Sequence, residues 1–342
     1  MPSLFSFQNG DFLAYTLANP VECEPQSFQI QGADLYLEDT GILRIEPSQP
    51  TSISLVISVG IHGNETGPIE LINNLLKDIF SGELILNVRL LVLIGNPVSS
   101  NAGKRFIDVN MNRLFSGAWK TFDCPEAKRA ENLENVVQRF YEKGSESDVR
   151  LHYDLHTAIR GSEYEQFAVY PFDHGSGYSK SQLNFLAASG LDAVLLSHQP
   201  TTTFSYYTHL TYGAHAFTVE LGKVYPFGQN DLSRFSGIDS SLRSLMATSE
   251  IPQGNLSSLT VFAVKDALIK DAEDYTLNIG SDVKNFTGFD KGFCLAQSSL
   301  SEYRVALDGD AIIFPNAQVP VGQRTGLIVR LTQPETLLFI KE

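Results

Sequence analysis

His62 and Glu65 stand three residues apart in Ile61-His62-Gly63-Asn64-Glu65-Thr66-Gly67-Pro68. On a turn, that spacing lets both side chains reach one ion. Gly63 and Gly67 give the backbone freedom to fold them together. A second histidine, His156, closes the run His152-Tyr153-Asp154-Leu155. Two imidazoles and one carboxylate, with a fourth position open to water, form a catalytic zinc set. The chemistry implied is metal-assisted hydrolysis. An H-x-x-E pair alone is more often a polar surface loop. Its place after a buried strand and before a helix, with another histidine at a second strand end, favours the metal reading.

Glu220 ends the apolar run His215-Ala216-Phe217-Thr218-Val219. A carboxylate there is costly to bury unless it is paired or functional. Beside a metal it is placed to take a proton from the attacking water and pass it to a leaving amine. The competing reading is a solvent-exposed carboxylate paired with Lys223. The third element is the segment Lys104-Arg105-Phe106-Ile107-Asp108-Val109-Asn110-Met111-Asn112-Arg113. Arg113 has the planar fork for a bidentate grip on a carboxylate, and Asn112 can add a hydrogen bond. Arg105 is suited to polarising a scissile carbonyl. Solvated loop charge is the plainer alternative for both arginines. Asp154 shares a strand face with His152 and His156, and so is either an acceptor that orients His156 or a solvent carboxylate.

The elements that must position these groups can be read from periodicity. Residues 28–45 alternate like a half-exposed hairpin. Ile53–Val59 and Val88–Ile94 read as buried strands. A helix opens at Pro68 and carries Ile69, Ile72, Leu75, Leu76 and Ile79 at helical spacing, with Gly82 just past its end. Further helices are expected over Glu126–Tyr141, Ser179–Ala188 and Asp231–Met246. Further strands are expected over Arg150–Leu155, Phe167–Tyr170, Ala193–Ser197 and His215–Val219. Strands alternating with helices predict a mostly parallel sheet covered on both faces. After about Ser249 only short β-rich runs remain: Leu259–Val264, Tyr275–Ile279, Ala311–Phe314, Leu327–Leu331 and Leu337–Ile340. The expected division is a catalytic α/β domain over 1–250 and a smaller all-β domain over 251–342.

Length and charge narrow the partners. The chain has 342 residues, 25 Lys and Arg against 39 Asp and Glu, and a net charge of −14. Such a chain is repelled by nucleic-acid backbones and anionic membranes, so an anionic substrate must be caught by a few placed arginines. No apolar run approaches the ~20 residues of a membrane-spanning helix. The first ten residues carry no basic segment followed by an apolar core, so no secretory signal is expected. Three widely spaced cysteines, Cys23, Cys124 and Cys294, argue against a disulfide framework or a zinc ribbon. The expectation is a cytoplasmic protein. The chain contains no P-loop, H-E-x-x-H or G-x-S-x-G motif. His174, His198, His209 and His215 have no ligand spacing.

Several segments together resemble the succinylglutamate desuccinylase family. They are Gly60-Ile61-His62-Gly63-Asn64-Glu65-Thr66, Gly95-Asn96-Pro97, Met111-Asn112-Arg113, residues 154–162 from Asp154 to Ser162, Val219-Glu220-Leu221-Gly222-Lys223, residues 226–231 and Phe314-Pro315-Asn316. That family belongs with aspartoacylases in the zinc-carboxypeptidase-like group, and the resemblance covers nearly the whole chain. It implies a zinc-carboxypeptidase-like α/β fold and one Zn2+ per chain on His62, Glu65 and His156. It also implies Glu220 as general base, and Arg105, Asn112 and Arg113 as substrate contacts. The implied reaction is hydrolysis of N-succinyl-L-glutamate to succinate and L-glutamate, the last step of arginine catabolism by the succinyltransferase route. The partner is then a small dianionic N-acyl amino acid, with no nucleic acid and no membrane. A related N-acyl amino acid hydrolase, a metallocarboxypeptidase and a non-catalytic zinc-binding module are the rival readings. One departure is Asn110, where the related motif has Asp, which removes a charged support for a nearby arginine. The β-rich C-terminal region is expected to limit access to the zinc, with Phe286–Lys291 as a wall loop.

Overall fold

The run Ile53–Val59, apolar apart from Ser54 and Ser58, is buried at all seven positions, as is Arg89–Ile94 at all six. Strands of that kind belong in the middle of a sheet covered on both faces. A computed structural model describes residues 10–341. The N-terminal reading falls on residues 1–9, which with residue 342 lie outside the described part.

The strands are β1 (Gln26–Ile30), β2 (Ala33–Asp39), β3 (Ile42–Pro47), β4 (Ile53–Val59), β5 (Arg89–Ile94), β6 (Val149–Ala158), β7 (Gln166–Tyr170), β8 (Ala193–Leu196), β9 (His215–Lys223) and β10 (Thr260–Ile269). They continue with β11 (Thr276–Leu277), β12 (Thr287–Phe289), β13 (Cys294–Gln297), β14 (Glu302–Arg304), β15 (Asp310–Ile313) and β16 (Arg324–Leu331). The large sheet runs β1-β2-β3-β5-β4-β6-β9-β7-β8-β10-β16-β15-β12, and β11-β13-β14 form a second, three-stranded sheet. Its centre holds two parallel blocks. β5, β4, β6 and β9 run one way, and β7, β8 and β10 run the other, joined at the antiparallel β7–β9 pair. The carboxyl ends of β4, β6 and β9 therefore share one edge of the sheet. His156 and Glu220 lie near that edge within β6 and β9, and His62 stands just past the end of β4.

Helices cover both faces. On one face, helix Thr66–Ser81 buries Ile69, Ile72, Leu75, Leu76 and Ile79 with Leu55, Ile57 and Val59, beside helix Ser236–Thr248. On the other, helix Pro125–Lys143 buries Leu133, Val137 and Phe140 with Val56, Leu91 and Leu93. Burying each such side chain is worth about 1.5–3 kcal/mol. These two layers make the sheet a rigid platform for the loops at its edge. The fold is the expected α/β sheet with a smaller antiparallel region after it. That region is continuous with the large sheet through β10, β16, β15 and β12.

Four local expectations change. Helix Thr66–Ser81 begins two residues before Pro68, with Glu65 as its N-cap. The segment Asp231–Met246 divides into a 3-10 turn, Leu232–Phe235, and the α-helix Ser236–Thr248. Leu337–Ile340 is no strand and makes only a single bridge, Tyr178 with Phe339. Phe286–Lys291 is no open wall loop. Phe286 is buried against Tyr164, Phe167 and Phe262, and Thr287–Phe289 is β12.

Candidate active site

The loop that carries His62 and Glu65 is shaped by what cannot fit there. At Gly60 the backbone has φ +62°, the left-handed region that favours glycine. At Gly63 a Cβ would lie 2.3 Å from Ser100 N and Ser99 C, so the loop passes too close to that backbone for any side chain. Gly63 N donates to Arg105 O at 3.0 Å, which ties this loop to the basic segment. Glu65 then caps helix Thr66–Ser81 by position, yet its carboxylate makes no capping bond. It turns instead to Arg105 Nη1 at 2.5 Å, to Thr157 N at 3.1 Å and to both histidines.

His62, Glu65 and His156 are all buried, and their ligand atoms lie within 4.8 Å of one another. The hydrogen bonds fix which ring nitrogen faces inward. His62 Nε2 donates to Asn110 Oδ1 at 2.9 Å, which leaves Nδ1 bare, buried and without a hydrogen bond, 2.9 Å from Glu65 Oε1. His156 Nε2 donates to Asp154 Oδ2 at 2.9 Å and turns Nδ1 to Glu65 Oε2 at 2.8 Å. Holding a ligand imidazole by its outer N–H is how metal sites orient histidine. Burial opposes ionisation of Glu65, but the His62 and His156 rings hold its carboxyl well below the usual range. Burial likewise opposes a charged His156, but Asp154 and Glu65 on either side raise it well above an ordinary histidine. Two carboxylates around one ring demand a cation. The orphaned Nδ1 of His62 and this demand fit a metal ion.

Asp154 is buried, and Ser58 Oγ on the neighbouring β4 donates to its Oδ1 at 2.5 Å. Of the two readings of Asp154, the acceptor that orients His156 is the one realised. His152 is also buried, with Nε2 2.8 Å from Ser58 Oγ, and burial pushes its pKa down to about 4. It is a neutral packing residue. His174 and His209 bond Tyr206 Oη and Ala214 O, away from the metal group.

Glu220 pairs with His156 across β6 and β9. It is half-buried, and its Oε2 has no hydrogen-bond partner. Burial, and then the Glu65 carboxylate, push its pKa up to about 7, against the pull of His156 and Arg105. A carboxyl poised there can both take and return a proton near neutral pH. No ion pair joins it to Lys223 among the described residues.

In the basic segment, Asn112 is buried and its Oδ1 accepts from Phe204 N at 3.0 Å, so its Nδ2 is the group left to donate. Arg113 donates Nη1 to Asn112 O at 2.8 Å and makes no ion pair among the described residues. The Arg113 side chain is exposed to solvent. Asn110 departs from expectation. Its Oδ1 supports His62 and Asn112 N, not an arginine. Two contributors were not singled out in the sequence: Ser58 and the Thr157 backbone. Ser58, one of two hydroxyls with Ser54 in a strand that is otherwise apolar, left a trace that could have been followed.

Comparison with known proteins defines the class. The succinylglutamate desuccinylase/aspartoacylase catalytic-domain model matches residues 51–246, and the AstE/AspA barrel-sandwich hybrid domain model matches residues 257–332. The chain belongs to the succinylglutamate desuccinylase/aspartoacylase family. Within it, a protein of Shewanella piezotolerans named succinylglutamate desuccinylase is 44% identical over 339 residues, 96% of this chain and 98% of its own. The crystal structure of the succinylglutamate desuccinylase of Vibrio parahaemolyticus superposes with a TM-score of 0.89 at 35% identity, over 97% of both chains. That of Chromobacterium violaceum gives 0.85 at 39%, over 95% of this chain and 98% of its own.

Proposed function

We propose that the chain is a zinc-dependent hydrolase of N-succinyl-L-glutamate, with His62 Nδ1, Glu65 and His156 Nδ1 holding the ion. The observation that carries this reading is the bare, buried Nδ1 of His62 facing Glu65 and His156, with an unpartnered Glu220 beside them. The names of the relatives supply the substrate. Bound zinc would supply Lewis acidity, which polarises an amide carbonyl and acidifies water.

The side chains divide the remaining work. Arg113 and the Asn112 amide bind a carboxylate of the amino acid half and fix the amide's orientation. Glu220 accepts a proton as water attacks the acyl carbon. Arg105 opposes the negative charge growing on the carbonyl oxygen. When the C–N bond breaks, Glu220 returns the proton to the departing amine, and succinate and glutamate leave. We read residues 1–250 as the catalytic domain and 251–342 as the β-rich one. The reaction would close arginine catabolism by the succinyltransferase route, in the cytoplasm.

The test is an assay of N-succinylglutamate beside N-acetylaspartate and a short acidic peptide. Hydrolysis of the first far above the other two is expected. Preference for either competitor would overturn the substrate assignment.

A further inference from the structure

The chemistry above leaves one deeply buried carboxyl group unused. Glu126 stands in the first turn of helix Pro125–Lys143 and is 2% exposed, with no ion pair among the described residues. A carboxyl group is costly to bury without a partner charge or hydrogen-bond donors. Its donors come from another segment. Glu126 Oε1 accepts from Ile107 N at 2.7 Å and from Asp108 N at 3.2 Å, while Oε2 is buried with no hydrogen-bond partner among the described residues. Neither bond is to its own helix. Both hold successive amides of the basic segment.

Those amides lie between two groups that touch the candidate metal ligands. Two residues before Ile107, Arg105 reaches Glu65 Oε1 through Nη1 at 2.5 Å, and its carbonyl accepts from Gly63 N at 3.0 Å. Two residues after Asp108, Asn110 Oδ1 accepts from His62 Nε2 at 2.9 Å and from Asn112 N at 3.0 Å. Residues 106–109 belong to no helix or strand, and Ile107 and Asp108 are exposed, so burial does not fix them. A loop of that kind takes its position from its hydrogen bonds to the scaffold. The scaffold here is firm. Ala127 and Ala130, beside Glu126 on the helix, are buried with Val56, Leu91 and Leu93 of the sheet.

We propose that Glu126 is a positioning residue for the reaction: its carboxyl group sets where the Arg105 guanidinium stands and how the Asn110 amide holds His62. This rests on the hydrolase reading above. Glu134, further along the same helix, supplies a control. Its carboxylate holds Gly117 N at 3.2 Å and Trp119 Nε1 at 2.9 Å, which lie past the last of the substrate-binding candidates.

The experiment compares wild type, Glu126→Ala, Glu126→Gln and Glu134→Ala on N-succinylglutamate at saturating zinc. Zinc affinity by chelator competition and Tm are measured alongside. A displaced Arg105 stabilises the growing charge on the carbonyl oxygen less, a loss felt in the transition state and not in substrate binding. Glu126→Ala should therefore lower kcat roughly 10- to 100-fold, with KM changed less than about 3-fold. It should also weaken zinc binding about 10-fold, through Asn110 and His62. Glu126→Gln keeps an oxygen that accepts from both amides, and should recover kcat to within about 3-fold of wild type. Glu134→Ala should lower Tm yet leave kcat and zinc affinity unchanged. If Glu126→Ala does not fold, Glu126→Asp, which ends one methylene short of the loop, should show the same fall in kcat in smaller measure. A fall in Tm alone at Glu126, or an equal fall in kcat at Glu134, would overturn the proposal. If wild type binds N-succinylglutamate without hydrolysing it, the hydrolase reading fails. The difference in zinc affinity between Glu126→Ala and Glu134→Ala then decides Glu126.

Discussion

Asp154 and Asn110 each hold one imidazole by its Nε2, one with a charged acceptor and the other with a neutral amide. Losing either should loosen the metal without unfolding the protein. Asp154→Asn and Asn110→Ala should each weaken zinc binding by about 10- to 100-fold, read by competition with a chromogenic chelator. Unchanged affinity would mean the rings are fixed by packing alone. Glu220→Gln should keep the metal while kcat falls by ~10²-fold or more, because the base is lost and the ligands are not. Loss of metal in that variant would make Glu220 a ligand. At this scale residue type singles out His62, Glu65 and His156, which the fold brings within 4.8 Å of one another. Residue type says less where orientation decides. Asn110 lies next to a hydrophobic-Asn-Arg motif, and nothing in that string says that its amide turns to His62.

The elements impose tolerances on these residues. The His62 loop runs so near Ser99 and Ser100 that Gly63→Ala must push two backbones apart. The cost should be about 1–3 kcal/mol, the usual range for overpacking, seen as a lowered Tm together with weaker zinc binding. A variant with unchanged Tm and affinity would show that the loop can shift. The buried strands β4 and β5 are legible because a short run dominated by Val, Ile and Leu has few other homes. Helix Phe204–Tyr212 is not, because its sequence, Phe-Ser-Tyr-Tyr-Thr-His-Leu-Thr-Tyr, is rich in aromatic and β-branched types that favour strands. Its form is set by contacts. Thr203 caps it, and Phe204 stacks on Phe115 at 4.2 Å. Phe286 was misjudged for the complementary reason. Glycine, lysine and aspartate around it suggest a loop, while its partners lie on distant strands.

Across the whole molecule, the metal group joins segments far apart in sequence. His62 and Glu65 follow β4, His156 lies near the end of β6, and Asn110 comes from the connection between β5 and helix Pro125–Lys143. Under the proposed reading an ion there would bind only the folded chain and stabilise it by mass action, ~4 kcal/mol when zinc exceeds its Kd a thousandfold. Chelation should therefore lower Tm by several degrees, and zinc should restore it. The order of strands and the continuity of β10 with β8 were beyond sequence reading, since pairing between remote strands leaves no local pattern. The most direct measurement is zinc content together with release of succinate and glutamate from N-succinylglutamate, before and after chelation of the purified protein. The expected result is about one zinc per chain and equimolar products, both lost on chelation and both restored by added zinc. Hydrolysis that persists in metal-free protein would contradict the assignment of His62, Glu65 and His156 as the metal site of a hydrolase.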